Sequence, residues 1–302
     1  MIYQNFEQLL EHNRTDHPLR AAVVMAHELE TLQAVVKAMD EGIALPVLIG
    51  DQEIILKNIR ALGRDAADFT ICHCADQAQC LEAVTGMLTR GEVDVVMKDQ
   101  VKTGDLMRIF VKKENGFLRG PVLSHLALNQ LPMYHKLLCV SDTTLNPYPD
   151  LAGKKAIIQN AADAMAKMGF EPPKVAVMAA IEYVNPKMKE TVEAAALKEA
   201  NQAGELTGCI VEGPISLDLA LDGHAAEIKG YESPVAGDAD LMLVPDLVSG
   251  NLLGKSLNYM PNSRFAGFIT GACVPVVLTS RASSPENKYL SLAVACAAAG
   301  IS

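Results

Sequence analysis

Val276–Leu290 reads VVLTSRASSPENKYL, and the order of its parts decides what kind of fold surrounds it. The apolar run Val274–Leu278, with Pro275 inside it, predicts a buried strand. It ends in Thr279, Ser280 and Arg281, and a helix start follows at once. Ser283 or Ser284 suits the cap, Pro285 the first helical position, and Glu286 the positive end of the helix dipole. This grammar sets hydroxyls, a guanidinium and unpaired backbone N–H groups at the carboxyl end of a strand. Open α/β sheets bind ligands there, and anions favour helix N-termini. An ordinary strand–helix corner with a solvent-facing Arg281 is the alternative.

Outward from this corner, the chain repeats the same alternation. Strands are expected at 20–25, 44–50, 69–74, 93–97, 136–141, 175–179, 209–211 and 241–244. Helices are expected between most of them, with Asp76 as one cap and Thr103 or Asp105 as another. Such spacing implies right-handed crossovers and mainly parallel sheets, hence an α/β protein. The prolines of Asn146-Pro-Tyr-Pro149 mark a loop, and Gly213-Pro214 a turn. The Ala-rich helix 289–299 is apolar on most sides and must be buried, under a sheet or in a subunit contact.

The 302 residues suffice for one large or two medium domains. Half are apolar, Trp is absent and aromatics are few, so aliphatic side chains do the packing. A net charge of −10 argues against general nucleic-acid binding and against an anionic membrane surface. The polar, acid-bearing start, MIYQNFEQLLEHNRTDH, predicts neither a signal nor a transit peptide, and no apolar run approaches a membrane span. Seven scattered cysteines read as reduced thiols and a cytoplasmic location. Cys72, His73, Cys74 and Cys80 lack a second ligand pair, so buried thiols are expected there rather than a metal.

Positive charge gathers after the strand at 93–97: Lys98, Lys102, Arg108, Lys112, Lys113 and Arg119. They form a solvated face or the wall of an anion site, and the two arginines suit phosphate geometry best. Residues 250–256, GNLLGKS, are one residue short of a Walker loop and put leucines where phosphate should lie. Asp238, Asp240 and Asp246 are either loop caps or ligands for a divalent ion. Neither a dinucleotide Gly-x-Gly-x-x-Gly nor a Gly-x-Ser-x-Gly elbow is present.

Several strings together resemble the phosphate acetyl/butyryltransferase family, and most the butyryl branch. They are VDVVMKDQVKTGDLMR (93–108), FLRGPVLSHLAL (117–128), SDTTLNPYPDL (141–151), AAIEYVNPKM (179–188), VEGPISLDLAL (211–221), the 233–259 segment with GDAD and PD, and VPVVLTSRASSPENKYLSLA (274–293). The resemblance implies two three-layer α/β/α domains, residues 1–135 plus 263–302 and residues 136–262. Their architecture would be that of the isocitrate/isopropylmalate dehydrogenases, with the active site in the cleft between them. It also implies a homo-oligomer built from dimers.

The implied reaction is acyl-CoA plus phosphate to acyl phosphate plus CoA. CoA is then a substrate, and no metal or nucleotide cofactor takes part. By the same resemblance Ser280 is the donor near the reacting carbonyl and Arg281 holds phosphate. Arg108, Arg119, Thr279 and Lys98 bind phosphate or CoA. The acetyl branch places a carboxylate base at the position of Asn287, and Glu286 is its nearest substitute. Three alternatives stand beside this expectation: an acetyl rather than butyryl substrate, a non-catalytic CoA or acyl-phosphate binder, and a metal-dependent decarboxylating dehydrogenase using the three aspartates.

Overall fold

The structure, a computed structural model, describes residues 1–280 and 282–300. In chain order its strands are β1 (Leu19–Val24), β2 (Ala44–Gly50), β3 (Thr70–His73), β4 (Val95–Lys98), β5 (Ser124–Gln130), β6 (Leu138–Ser141), β7 (Lys174–Met178), β8 (Ile210–Ile215), β9 (Leu241–Leu243), β10 (Arg264–Thr270) and β11 (Val276–Leu278). Its helices are α1 (Phe6–His12), α2 (Leu29–Asp40), α3 (Gln52–Ala61), α4 (Gln77–Thr89), α5 (Thr103–Val111), α6 (Leu151–Lys167), α7 (Lys189–Gln202), α8 (Leu217–Leu221), α9 (Gly223–Lys229), α10 (Leu247–Asn258) and α11 (Pro285–Ala299). This is an α/β fold with mainly parallel strands, as the alternation predicts.

The chain divides into two compact units. One comprises residues 10–119 and 266–302, the other residues 1–9 and 120–265. The expected crossing at 135/136 falls after the segment that forms β5. That strand instead pairs antiparallel with β6, Ala127 opposite Val140, so 120–135 goes with the middle of the chain.

In the first unit the strand order is β3-β2-β1-β4-β11-β10, with every pair parallel except β11 with β10. Ala21–Val24 of β1 are fully buried, as expected of a strand covered on both faces. The helices start where local chemistry directs. Asp51 accepts from Glu53 N and Ile54 N and caps α3, whose Ile55 and Ile59 form one buried stripe. Asp76 caps α4 through Gln79 N, as predicted. The expected cap of α5 is overturned. Lys102 takes that position without a side-chain bond, while Asp105 is drawn to Arg108 and Gln77. Helix α11 packs on α2, β4 and β11, so it is buried against its own sheet and a neighbouring helix.

In the second unit the order is β5-β6-β9-β7-β8, with β5 antiparallel and the rest parallel. Leu138, Val140, Met242 and Leu219 anchor its core. Gly213-Pro214 lies within β8 rather than at a turn. The register with β7 slips there, from Ala176 opposite Glu212 to Met178 opposite Ile215. The irregularity accommodates a proline, which has no N–H for the ladder. Gly250 of α10 is required by close approach. A Cβ there would lie 2.5 Å from the Asp142 carbonyl oxygen and 2.7 Å from Val244 Cγ2.

Asp238, Asp240 and Asp246 do not form an ion site. Lys136 Nζ reaches Asp238 at 2.7 Å and Asp240 at 2.6 Å, and Lys174 and His135 also hold Asp238. Asp246 caps α10 through Ser249 N. No cluster of metal-ligating side chains occurs among the described residues. All seven cysteines are free, and burial followed by neighbouring Cys80 and Cys72 pushes the Cys74 thiol up to about 12. Among the described residues no helix is long and apolar enough to cross a membrane.

Candidate active site at the carboxyl ends of β1, β4 and β11

Three parallel strands end side by side. Val24 of β1 and Leu278 of β11 are both opposite Lys98 of β4. Met25, Asp99 and Thr279 therefore leave the sheet in one row. Helix α11 begins beside this row. Ser284 is its cap, accepting from Asn287 N at 3.2 Å, and Pro285 is its first residue. The turn before it is tight: Ser280 Oγ accepts from Ala282 N at 3.3 Å, and Ser280 O accepts from Ser283 N at 3.0 Å. Ser280 is exposed and Thr279 half-buried. This is a strand end and a helix N-terminus meeting at a hydroxyl, a geometry that favours an anion. Arg281, the expected phosphate grip, lies outside the described residues.

The structure brings Lys98, Thr279, Ser280, Glu286 and Asn287 to this corner, all within one unit. Lys98 is buried, and its Nζ donates to the Asp99 carbonyl at 2.7 Å. Glu286 is engaged by Lys37, 2.9 Å away, and Lys37 also lies over the Tyr289 ring. Arg108 stands on α5 beyond the carboxyl end of β4, exposed and paired with Asp105 at 2.8 Å. Arg119 is not brought to the corner. Its backbone N donates to Gly271, in the connection that enters β11 at its amino end. The length of β11, roughly 10 Å, separates that point from Ser280.

Beneath the row lies a group that no motif in the sequence announces. Asp99 Oδ2 accepts from His27 N at 2.7 Å and Glu28 N at 2.8 Å, and its Oδ1 accepts from Thr31 Oγ1 at 2.7 Å. Lys288 Nζ donates to Thr31 Oγ1 at 3.0 Å and to Glu28 Oε2 at 2.9 Å. Burial is the main cause that pushes Asp99 up to about 6, with the Glu28 charge adding to it and the hydrogen bonds opposing. Burial also opposes ionisation of Glu28, but Lys288 outweighs it and holds that carboxyl below its ordinary range. Burial lowers His27, consistent with its Nε2 accepting from Asp51 N. The one local signal was a lysine, Lys288, at the edge of the apolar run that follows it. Nothing in the string names its partners.

The fold is that of the phosphotransacylases. The chain is similar to a branched-chain phosphotransacylase from Enterococcus faecalis, with a TM-score of 0.83 and 31% identity over 93% of this chain and 99% of the other. It is 36% identical to a phosphate butyryltransferase of Clostridium acetobutylicum over 99% of both chains. It is 39% identical to a phosphate acetyltransferase of Thermotoga maritima over 91% of this chain and 93% of that one. The model of the family described as "Phosphate acetyl/butaryl transferase" matches residues 79–296. The chain belongs to this family of acyltransferases.

Proposed function

We propose that the protein transfers a butyryl group between CoA and orthophosphate at the 279–287 corner. In the acyl-phosphate-consuming direction the CoA thiol gives up its proton, which ends on the departing phosphate, and the sulfur attacks the acyl carbonyl. The C–S bond forms, the bond from carbonyl carbon to phosphate oxygen breaks, and orthophosphate leaves with the electron pair. Ser280 donates toward the developing oxyanion, and Arg281 with the helix N-terminus takes the phosphate charge. Lys98, Thr279 and Arg108 supply further phosphate or CoA contacts.

Asn287 has no carboxylate, and the pairing of Glu286 with Lys37 supports reading Glu286 as an anchor of the helix start rather than as the base. Catalysis then leans on positioning and electrostatics. The observation that carries this reading is the row of three strand ends meeting the N-terminus of α11 at Ser280. The near full-length identity to a phosphate butyryltransferase supports the acyl group. The 39% identity to a phosphate acetyltransferase favours acetyl as the second reading.

The proposal includes a homo-oligomer built from dimers, no bound cofactor beyond the substrates, and, from the unpaired thiols, a cytoplasmic location. Initial rates with acetyl-, propionyl-, butyryl- and valeryl-CoA test the acyl group. The expected result is the highest kcat/KM on butyryl-CoA. A maximum on acetyl-CoA replaces the first reading by the second, and no phosphate-dependent release of CoA with any of them contradicts both.

A further inference from the structure

Asp99, Thr31 and Lys288 come from three chain segments, the end of β4, the first turn of α2 and the first turn of α11. All three are buried, with Thr31 at 0% exposure and Lys288 at 1%. Asp99 takes over the capping of α2, since its N-cap, Glu28, makes no side-chain cap bond and gives its own N–H to Asp99. The chain bends sharply just before, at Met25, which is left-handed with φ 55°. A non-glycine residue holds that conformation only where its surroundings enforce it. The Asp99 carboxylate, gripping His27 N and Glu28 N, is part of that enforcement.

We infer that Asp99, Thr31 and Lys288 are positioning residues, which fix the 279–287 corner against the end of β4 and so set the geometry in which it holds phosphate. The inference rests on reading that corner as the phosphate seat. Two arguments separate it from a role in stability alone. A buried cation contributes little to stability compared with an apolar side chain of similar volume, so Lys288 is a poor choice for cohesion among buried side chains that are otherwise uncharged. Among the described residues the side-chain bonds of Lys288 run to Glu28 and Thr31, in the segment that follows the end of β1, whereas the buried residues after it in α11 are uncharged.

The test uses the full chain and three variants: Thr31→Val, which keeps the volume and removes the link, Thr31→Ser, which restores the hydroxyl, and Lys288→Met. The readouts are kcat and KM with butyryl-CoA and phosphate, calorimetric binding of inorganic phosphate, and thermal midpoint. Thr31→Val and Lys288→Met are expected to lose at least tenfold in kcat and fivefold in phosphate affinity, with KM for butyryl-CoA within twofold. Thr31→Ser is expected to return kcat and phosphate affinity to within twofold. Folded Thr31→Val or Lys288→Met with wild-type kcat and phosphate affinity overturns the inference, whatever the thermal midpoint does. So does Thr31→Ser as impaired as Thr31→Val. If the wild-type chain binds phosphate without turnover, the transferase reading fails while the phosphate affinities of the variants still decide the inference. If it binds none, the seat is absent and the inference falls too.

Discussion

Glu286 and Asn287 occupy the second and third positions of α11, where the resemblance places the proton-accepting carboxylate. The side chain of Glu286 faces Lys37, and the two anchor the helix start to α2. An acid in a first turn contributes about 0.3–1 kcal/mol, and an exposed ion pair a similar amount. Glu286→Gln is therefore expected to keep kcat within about tenfold of the parent. Ser280→Ala is expected to lose about 10²–10³ in kcat at similar KM, the size of a lost oxyanion donor, in the same steady-state assay. The setting of Ser280 was legible because it is local: an apolar run, a hydroxyl, a cap and a proline within ten residues. The link from Lys288 to Thr31 joins positions 257 apart, and no periodicity or spacing reports such a pair. The placement of the Arg119 backbone was not legible for a related reason. Its charge is visible in the string, but which end of β11 it would lie beside is decided by the antiparallel return of β10.

At the scale of elements, the parallel strands and their crossover helices follow from runs of aliphatic residues between caps. The antiparallel strands do not. SHLALNQ in β5 and RFAGFIT in β10 mix polar and apolar residues without a following helix, so the alternation that marked the others was missing. Packing of α11 on its sheet carries a clear expectation. Leu290 is fully buried, and Leu290→Ala should destabilise by about 2–5 kcal/mol in urea unfolding, with unchanged slope. The capping bonds of Asp51 are smaller, and Asp51→Ala should cost about 1 kcal/mol. If Leu290→Ala cost no more than Asp51→Ala, the helix would not be held by burial as described.

For the whole molecule, the formal charge of −10 leaves anion binding to local arrangement rather than to net field. The acid limb of stability has an identifiable contributor. Burial opposes ionisation of Asp238, but Lys136, Lys174 and His135 together hold its carboxyl well below the usual range. A depressed folded value means stability that is fully present above the unfolded pKa, about 3.9, and is lost as pH falls below it. Denaturant midpoints should drop from pH 6 to pH 3 in the parent, and the drop should be smaller in Asp238→Asn. An equal drop in both would remove Asp238 from that limb.

Function here depends on one corner carrying phosphate chemistry, and phosphate-dependent release of CoA from butyryl-CoA measures it directly. The parent chain should release CoA and form butyryl phosphate only when phosphate is present, and Arg281→Ala should lose about a hundredfold or more while its circular dichroism is unchanged. No phosphate-dependent release by the parent, or near-normal release by folded Arg281→Ala, would contradict the account.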